Sequence, residues 1–381
     1  MGKWEMVRLG DVCNLNMGQS PESSSYNETG EGLPFYQGNA DFGVLYPIIR
    51  YHCSVPKKIA LPNDILLSVR APIGALNIAN EKCCIGRGLA ALTPFKTLEM
   101  KYLYYILKDN HTELNAKGTG STFKAINKSS LNDFEIPLPP LEIQQKIAAA
   151  LDTADALLKL HQQHLAELEA LIQSVFYQMF GDPVRNEKGW EIDNFDRIIE
   201  FMTSGSRGWS KYFAEQGEFF ITIKNVRNSK IIKDNMQKIK APDNKESLRT
   251  KVQENDLLIS ITADLGRTAV VDKDTATNGA YINQHLCLIR LDLEKIVPIF
   301  LAIFLESPGG QSQFQKKNQV GVKSGLNFDS IKSLRVPIPP LPLQTQFAAI
   351  VQKIEQQKAL VQQSIDETQT LFESLMSRYF D

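Results

Sequence analysis

The sequence predicts an α+β protein built twice over: two β-rich lobes, each followed by one long coiled-coil helix. Three observations predict it. Residues 134–180 and 334–380 align without a gap and are identical at 14 of 47 positions. A strand–Pro-Pro–helix transition therefore occurs twice, as "EIPLPPLEIQQKIAAALDTAD" from Glu135 and "RVPIPPLPLQTQFAAIVQKIE" from Arg335. A repeat this long, present only twice, reads as a duplicated domain and not as a solenoid unit. After each Pro-Pro the apolar residues recur at alternating spacings of four and three. Before each one, short apolar runs are broken by Gly, Pro, Asn and Asp, the pattern of strands and turns. The order is lobe 1–140, helix 141–182, lobe 183–340, helix 341–381.

The lobes repeat more loosely than the helices. "KWEMVRLGDV" at Lys3 has a partner in "GWEIDNFDRI" at Gly189, and "NDILLSVRAPIG" at Asn63 one in "ENDLLISITADLG" at Glu254. "CIGRGLAAL" from Cys84 corresponds to "YINQHLCLI" from Tyr281. Strands are expected at "DILLSV", "LAAL", "DLLISIT", "TAVVD" and "HLCLIRL", with one short helix per lobe around "LEMKYLYYILK" and "KIVPIFLAIFLES".

In the first helical segment Ile147, Leu151, Ala154, Leu158, His161, Leu165, Leu168, Ile172, Val175 and Met179 form an a/d heptad seam. Adding 200 gives the second seam: Phe347, Val351, Ile354, Lys358, Val361, Ile365, Thr368, Phe372, Leu375 and Tyr379. The prolines mark the helix starts, because the residue before a proline is pushed toward extended conformations. Gly181-Asp182-Pro183 ends the first helix. His161 and Lys358 interrupt the seams; a register-setting polar residue and a snorkelling edge residue both fit. Leu157, Leu160, Leu171 and Phe176 lie outside the seam, more apolar surface than one partner helix covers.

Composition is that of a globular protein, 43% hydrophobic and 22% charged. No apolar run approaches the ~20 residues that cross a bilayer, and the start is not a signal peptide. Five cysteines without a CxxC pair read as buried or free thiols of a reducing cytoplasm. The net charge of −1 is segregated: the lobes carry +1 and +4, the helical segments −4 and −2. A polyanion would meet the lobes.

Catalytic signatures are missing. "GTGSTFK" at Gly118 lacks the ending of a phosphate loop, and no GxGxxG, [DN]PP[YF], GxSxG, HExxH or HxE…PCxxC occurs. "PDNKES" at Pro242 lacks the rest of a nuclease site, and His161 with His164 lacks further metal ligands. The expectation is a chain that is not an enzyme and binds no metal.

Two divergent lobes, each followed by a similar "P-[LI]-P-P-L…Q…AA" helix, resemble the specificity subunit of a type I restriction-modification system. "LLSVRAPIG", "IGRGLAAL", "GSTFKAINKSSL" and "FGDPVRNEKGW" strengthen the likeness, which covers the whole chain. The resemblance implies two target recognition domains, each reading half of a split double-stranded DNA target, on helices that pair as an antiparallel coiled coil with pseudo-two-fold symmetry. It also implies that the helices set the spacing and dock two methyltransferase subunits, joined by two motor-nuclease subunits. S-adenosylmethionine, ATP and Mg would bind those partners, none of them this chain, and the complex would be cytoplasmic.

Side chains suited to base edges or phosphates in loops give the candidate DNA contacts. In the first lobe these are Gln19, Ser20, Arg70, Arg87 and Lys124; in the second, Ser206, Arg207, Lys224, Arg227, Arg267 and Lys323. Two other readings remain open: the specificity subunit of a related methyltransferase without a motor-nuclease partner, and a coiled-coil adaptor without DNA.

Overall fold

The computed structural model describes residues 4–119, 124–205, 207–318 and 325–380. It divides into two compact units, 1–163 with 361–381, and 164–360. Each unit therefore holds one lobe, half of the first long helix (Leu141–Phe180) and half of the second (Leu341–Phe380).

In the first unit, strand Met6–Arg8 pairs antiparallel with Glu135–Pro137 and closes the lobe where the long helix begins. A four-stranded sheet follows the order Cys13–Met17, Leu89–Pro94, Ile65–Ser68, Leu76–Ile78. A five-stranded sheet has Leu33–Tyr36 at its centre, parallel to Cys83–Ile85. The first sheet packs Ile65, Leu67, Ala90 and Leu92 against the helix Met100–Asp109. Ile147, Leu151, Ala154 and Leu158 of the first long helix join this core, as do Phe372 and Met376 of the second. The N-terminal half of one helix thus meets the C-terminal half of the other, the antiparallel sense.

The second unit repeats the plan. Ile192–Asn194 pairs with Arg335–Pro337, and a four-stranded sheet runs Ile199–Ser204, Leu286–Leu291, Leu257–Ser260, Thr268–Val270. A further sheet runs Phe213–Ala214, Gln237–Ile239, Glu218–Ile221, Ala280–Ile282, its last pair parallel. Phe176 and Phe180 pack on Phe300 and Phe347, so Phe176, outside the heptad seam, is covered by the lobe's own helix Pro298–Glu306. Leu157, Leu160 and Leu171 stay exposed.

Two buried devices recur at equivalent places. The Gln144 side chain, fully buried, accepts from Glu99 N (2.8 Å) and donates to Thr97 O and Pro139 O. Gln344 accepts from Val297 N (2.8 Å) and donates to Lys295 O and Pro339 O. Each amide joins the helix start to the lobe through main-chain groups alone. Asn63 and Asn255, both at φ 71°, precede Asp64 and Asp256, whose carboxylates accept from Leu61 N and Gln253 N. Asn adopts this left-handed geometry more readily than most residues. Asp64 also accepts from Thr93 Oγ1, whereas Asp256 faces Arg290 at 3.2 Å. Burial nevertheless pushes Asp256 up to about 6.

All seam positions are buried or half-buried. Lys358, 14% exposed, reaches Glu169 of the first helix (3.2 Å) and Glu355 of its own (3.5 Å), while Lys230 of the lobe hairpin also contacts Glu355. Burial and the neighbouring Lys358 ammonium bring Lys230 down to about 8. One short helix per lobe undercounts what is present. The described residues of the first lobe add Leu9–Val12, His111–Ala116 and Lys128–Asn132, and those of the second add Lys245–Thr250, Lys273–Asn278, Pro308–Lys317 and Phe328–Lys332. Most are single turns too short to show a period. Several are started by capping side chains such as Asn127, Asn244, Asp272 and Asn327. The five cysteines are buried and unbridged, with Cys13 and Cys83 pushed up to about 12 by burial. Among the described residues, no helix is long and apolar enough to cross a membrane.

Candidate nucleic-acid interface

At one end of the first lobe's four-stranded sheet, several loops are tied together by main-chain bonds. Gly18 N donates to Leu89 O (2.8 Å) and Gln19 N to Ile85 O (3.1 Å). Ser20 Oγ accepts from Arg87 N (3.4 Å). A Cβ on Gly18 would run into the carbonyl of Gly86, so only glycine allows this approach. Val69 N donates to Gly88 O (2.9 Å), Arg70 bridges Ala125, and Ala71 N donates to Lys124 O (3.2 Å). Gln19, Ser20, Arg70, Arg87 and Lys124 are thereby brought to one end of one sheet. Gln19, Arg70 and Arg87 are exposed. Lys58 and Lys128, which the sequence reading missed, line an open cleft of about 520 Å³ beside Gln19 with Asn14 and Asn16. They come beside Gln19 only in the fold, Lys58 just ahead of the strand Ile59–Ala60 and Lys128 at the start of the helix Lys128–Asn132.

The second lobe builds the same end with different side chains. Gly205 N donates to Leu286 O (3.2 Å), and a Cβ there would run into Asn283 O. Ile261 N donates to His285 O (3.0 Å), Thr262 bridges Gly325, and Leu326 N donates to Ile261 O (2.9 Å). Exposed Arg207 follows Gly205 by two residues. Exposed Lys224 lies in the turn Ile223–Asn225, just after Ile221, whose carbonyl accepts from Asn283 N (3.0 Å). Ser206 and Lys323 lie outside the described residues. Where the first lobe has Arg70, Arg87 and Gly88, the second has Thr262, Gln284 and His285. The "GRG"/"NQH" alignment places Gln284 and His285 opposite Arg87 and Gly88, although neither is among the residues expected from the sequence.

Arg227 and Arg267 line a cleft of about 390 Å³ with Asn228, Glu306 and Gln311, and Arg267 is paired with Asp264 at 2.7 Å.

The family described as "Type I restriction modification DNA specificity domain" matches residues 1–170 and 187–369, each stretch a lobe with much of its following helix. The chain belongs to this family. Its specificity-subunit relatives include the putative type I restriction enzyme MjaX specificity subunit of Methanocaldococcus jannaschii. That protein is 40% identical over 185 residues, covering 48% of this chain and 44% of the relative. The chain thus spans less than half the length of that relative. The EcoBI specificity subunit of Escherichia coli is 22% identical over 386 residues, covering 93% of this chain and 79% of the other. The solved type I restriction-modification S subunit from M. genitalium covers 100% of this chain and 96% of its own at a TM-score of 0.64 and 16% identity, a likeness of fold. At the paired loop clusters, two lobes of one plan present different exposed side chains.

Proposed function

We propose that this chain is the DNA-reading component of a type I restriction-modification assembly, each lobe reading one half of a bipartite target through its loop cluster. The paired helices set the spacing of the half-sites and dock two methyltransferase subunits. Two motor-nuclease subunits complete the assembly, and S-adenosylmethionine, ATP and Mg bind these partners. One observation carries the reading: the same main-chain bonds hold both clusters, while the side chains they present differ. Two unlike readers on one scaffold suit a target whose halves are unlike. The positive balance of the lobes suits phosphate contacts, which position a reader while base contacts specify.

Long-read methylome sequencing of cells with and without the gene tests it. Loss of one split motif, methylated on adenine in both halves, is the expected result. Arg207→Ala should weaken reading of one half only and leave co-purification of the methyltransferase subunits intact. Loss of those subunits would refute this division of labour.

A further inference from the structure

The clearest difference between the two clusters sits at Gln284 and His285. The His285 ring is held at both nitrogens: Nδ1 lies 2.7 Å from Thr262 Oγ1, and Nε2 lies 3.0 Å from Gln284 Nε2. Its main chain is held too, N donating to Asn283 Oδ1 (3.1 Å) and O accepting from Ile261 N (3.0 Å). An amide nitrogen can only donate, so Gln284 donates to Nε2, while Nδ1 meets the Thr262 hydroxyl. One Gln284 N–H is thereby spent on orientation. Oε1 and the second N–H remain, an acceptor and a donor side by side on a half-exposed side chain tethered by the imidazole.

That pair complements one base edge in the major groove. Adenine offers an N6–H donor beside an N7 acceptor, whereas guanine offers two acceptors and would oppose Oε1 with O6 or N7. Arg87, at the equivalent place in the first lobe, is donor-only and has no such preference for adenine. We infer that Gln284 reads an adenine in the half-site of the second lobe, by a two-bond contact to N6 and N7, with His285 and Thr262 as positioning residues. This rests on the second lobe reading DNA.

The test uses the chain assembled with its methyltransferase partners, presented with a duplex library randomised across both half-sites. One position of the second half-site should demand adenine. Gln284→Ala should relax that position alone, lowering discrimination about 5- to 150-fold, the span expected for a two-bond contact. Gln284→Arg should shift the same position toward guanine, which guards against a merely misfolded Ala variant. His285→Ala should lose selectivity at that same base pair and at no other, which a structural role would not produce. Equal weakening across all sequences by Gln284→Ala, or relaxation at a different base, would overturn the inference while leaving DNA reading by the lobe intact. A wild-type assembly with no preference in the second half-site would overturn both.

Discussion

Gln144 and Gln344 recur 200 residues apart, yet their sequence context says nothing of their work. A glutamine in the first turn of a helix ordinarily faces water, and only the fold shows each amide fully buried and bonded to three main-chain groups. Replacing Gln344 with Leu would leave Val297 N, Lys295 O and Pro339 O buried without these partners. An unmet buried group is destabilising by roughly 1–3 kcal/mol. Gln344→Leu should therefore lower the stability of the second unit by about 3 kcal/mol, read from urea unfolding followed at Trp190 and Trp209. A loss under about 1 kcal/mol would mean that water or main-chain shifts replace the amide. The same limit applied to Gln284: its type was visible in the sequence, but not the imidazole that orients it.

The long helices were the most legible elements, because ten apolar or interrupting positions at heptad spacing leave little room for another fold. The short turns were the least legible, since four to six residues with an Asn or Asp cap carry no period. The polar interruptions lay between: Lys358 reaches half-exposed Glu169 across the helix pair, a contact that both readings of it allow. Lys358→Glu would set a third carboxylate beside Glu169 and Glu355, and should destabilise the second unit by about 1–2 kcal/mol, on the order of a partly buried ion pair broken and reversed. Adding Glu169→Lys should restore at least half of that loss. A double variant no more stable than the single one would show that the two residues are uncoupled.

At the scale of the molecule, the duplication was legible and the division into units was not. Sequence order suggests lobe then helix, but the core of the first lobe takes in Phe372 and Met376, more than 200 residues away along the chain. Heptad spacing cannot say which lobe a seam residue will finish. Truncation after Leu360 should therefore destabilise the first unit, at the opposite end of the sequence from the cut. The loss of two large core side chains predicts at least about 4 kcal/mol. Hydrogen exchange in Met100–Asp109 checks it: protection should collapse there, and unchanged protection would show that the first lobe folds without the second helix.

The loop clusters are fastened by bonds from peptide nitrogen to peptide oxygen: Gly18 to Leu89, Val69 to Gly88, Gly205 to Leu286, Ile261 to His285. Apart from Gly18 and Gly205, where a Cβ would collide, such fastenings are indifferent to the side chains that stand on them. Substitutions at Arg87 or Gln284 can therefore accumulate under selection without first crossing a valley of unfolded intermediates. On this scaffold the exposed chemistry of a cluster is a few point mutations from a different one, and sequences that present different groups there keep the same fastenings.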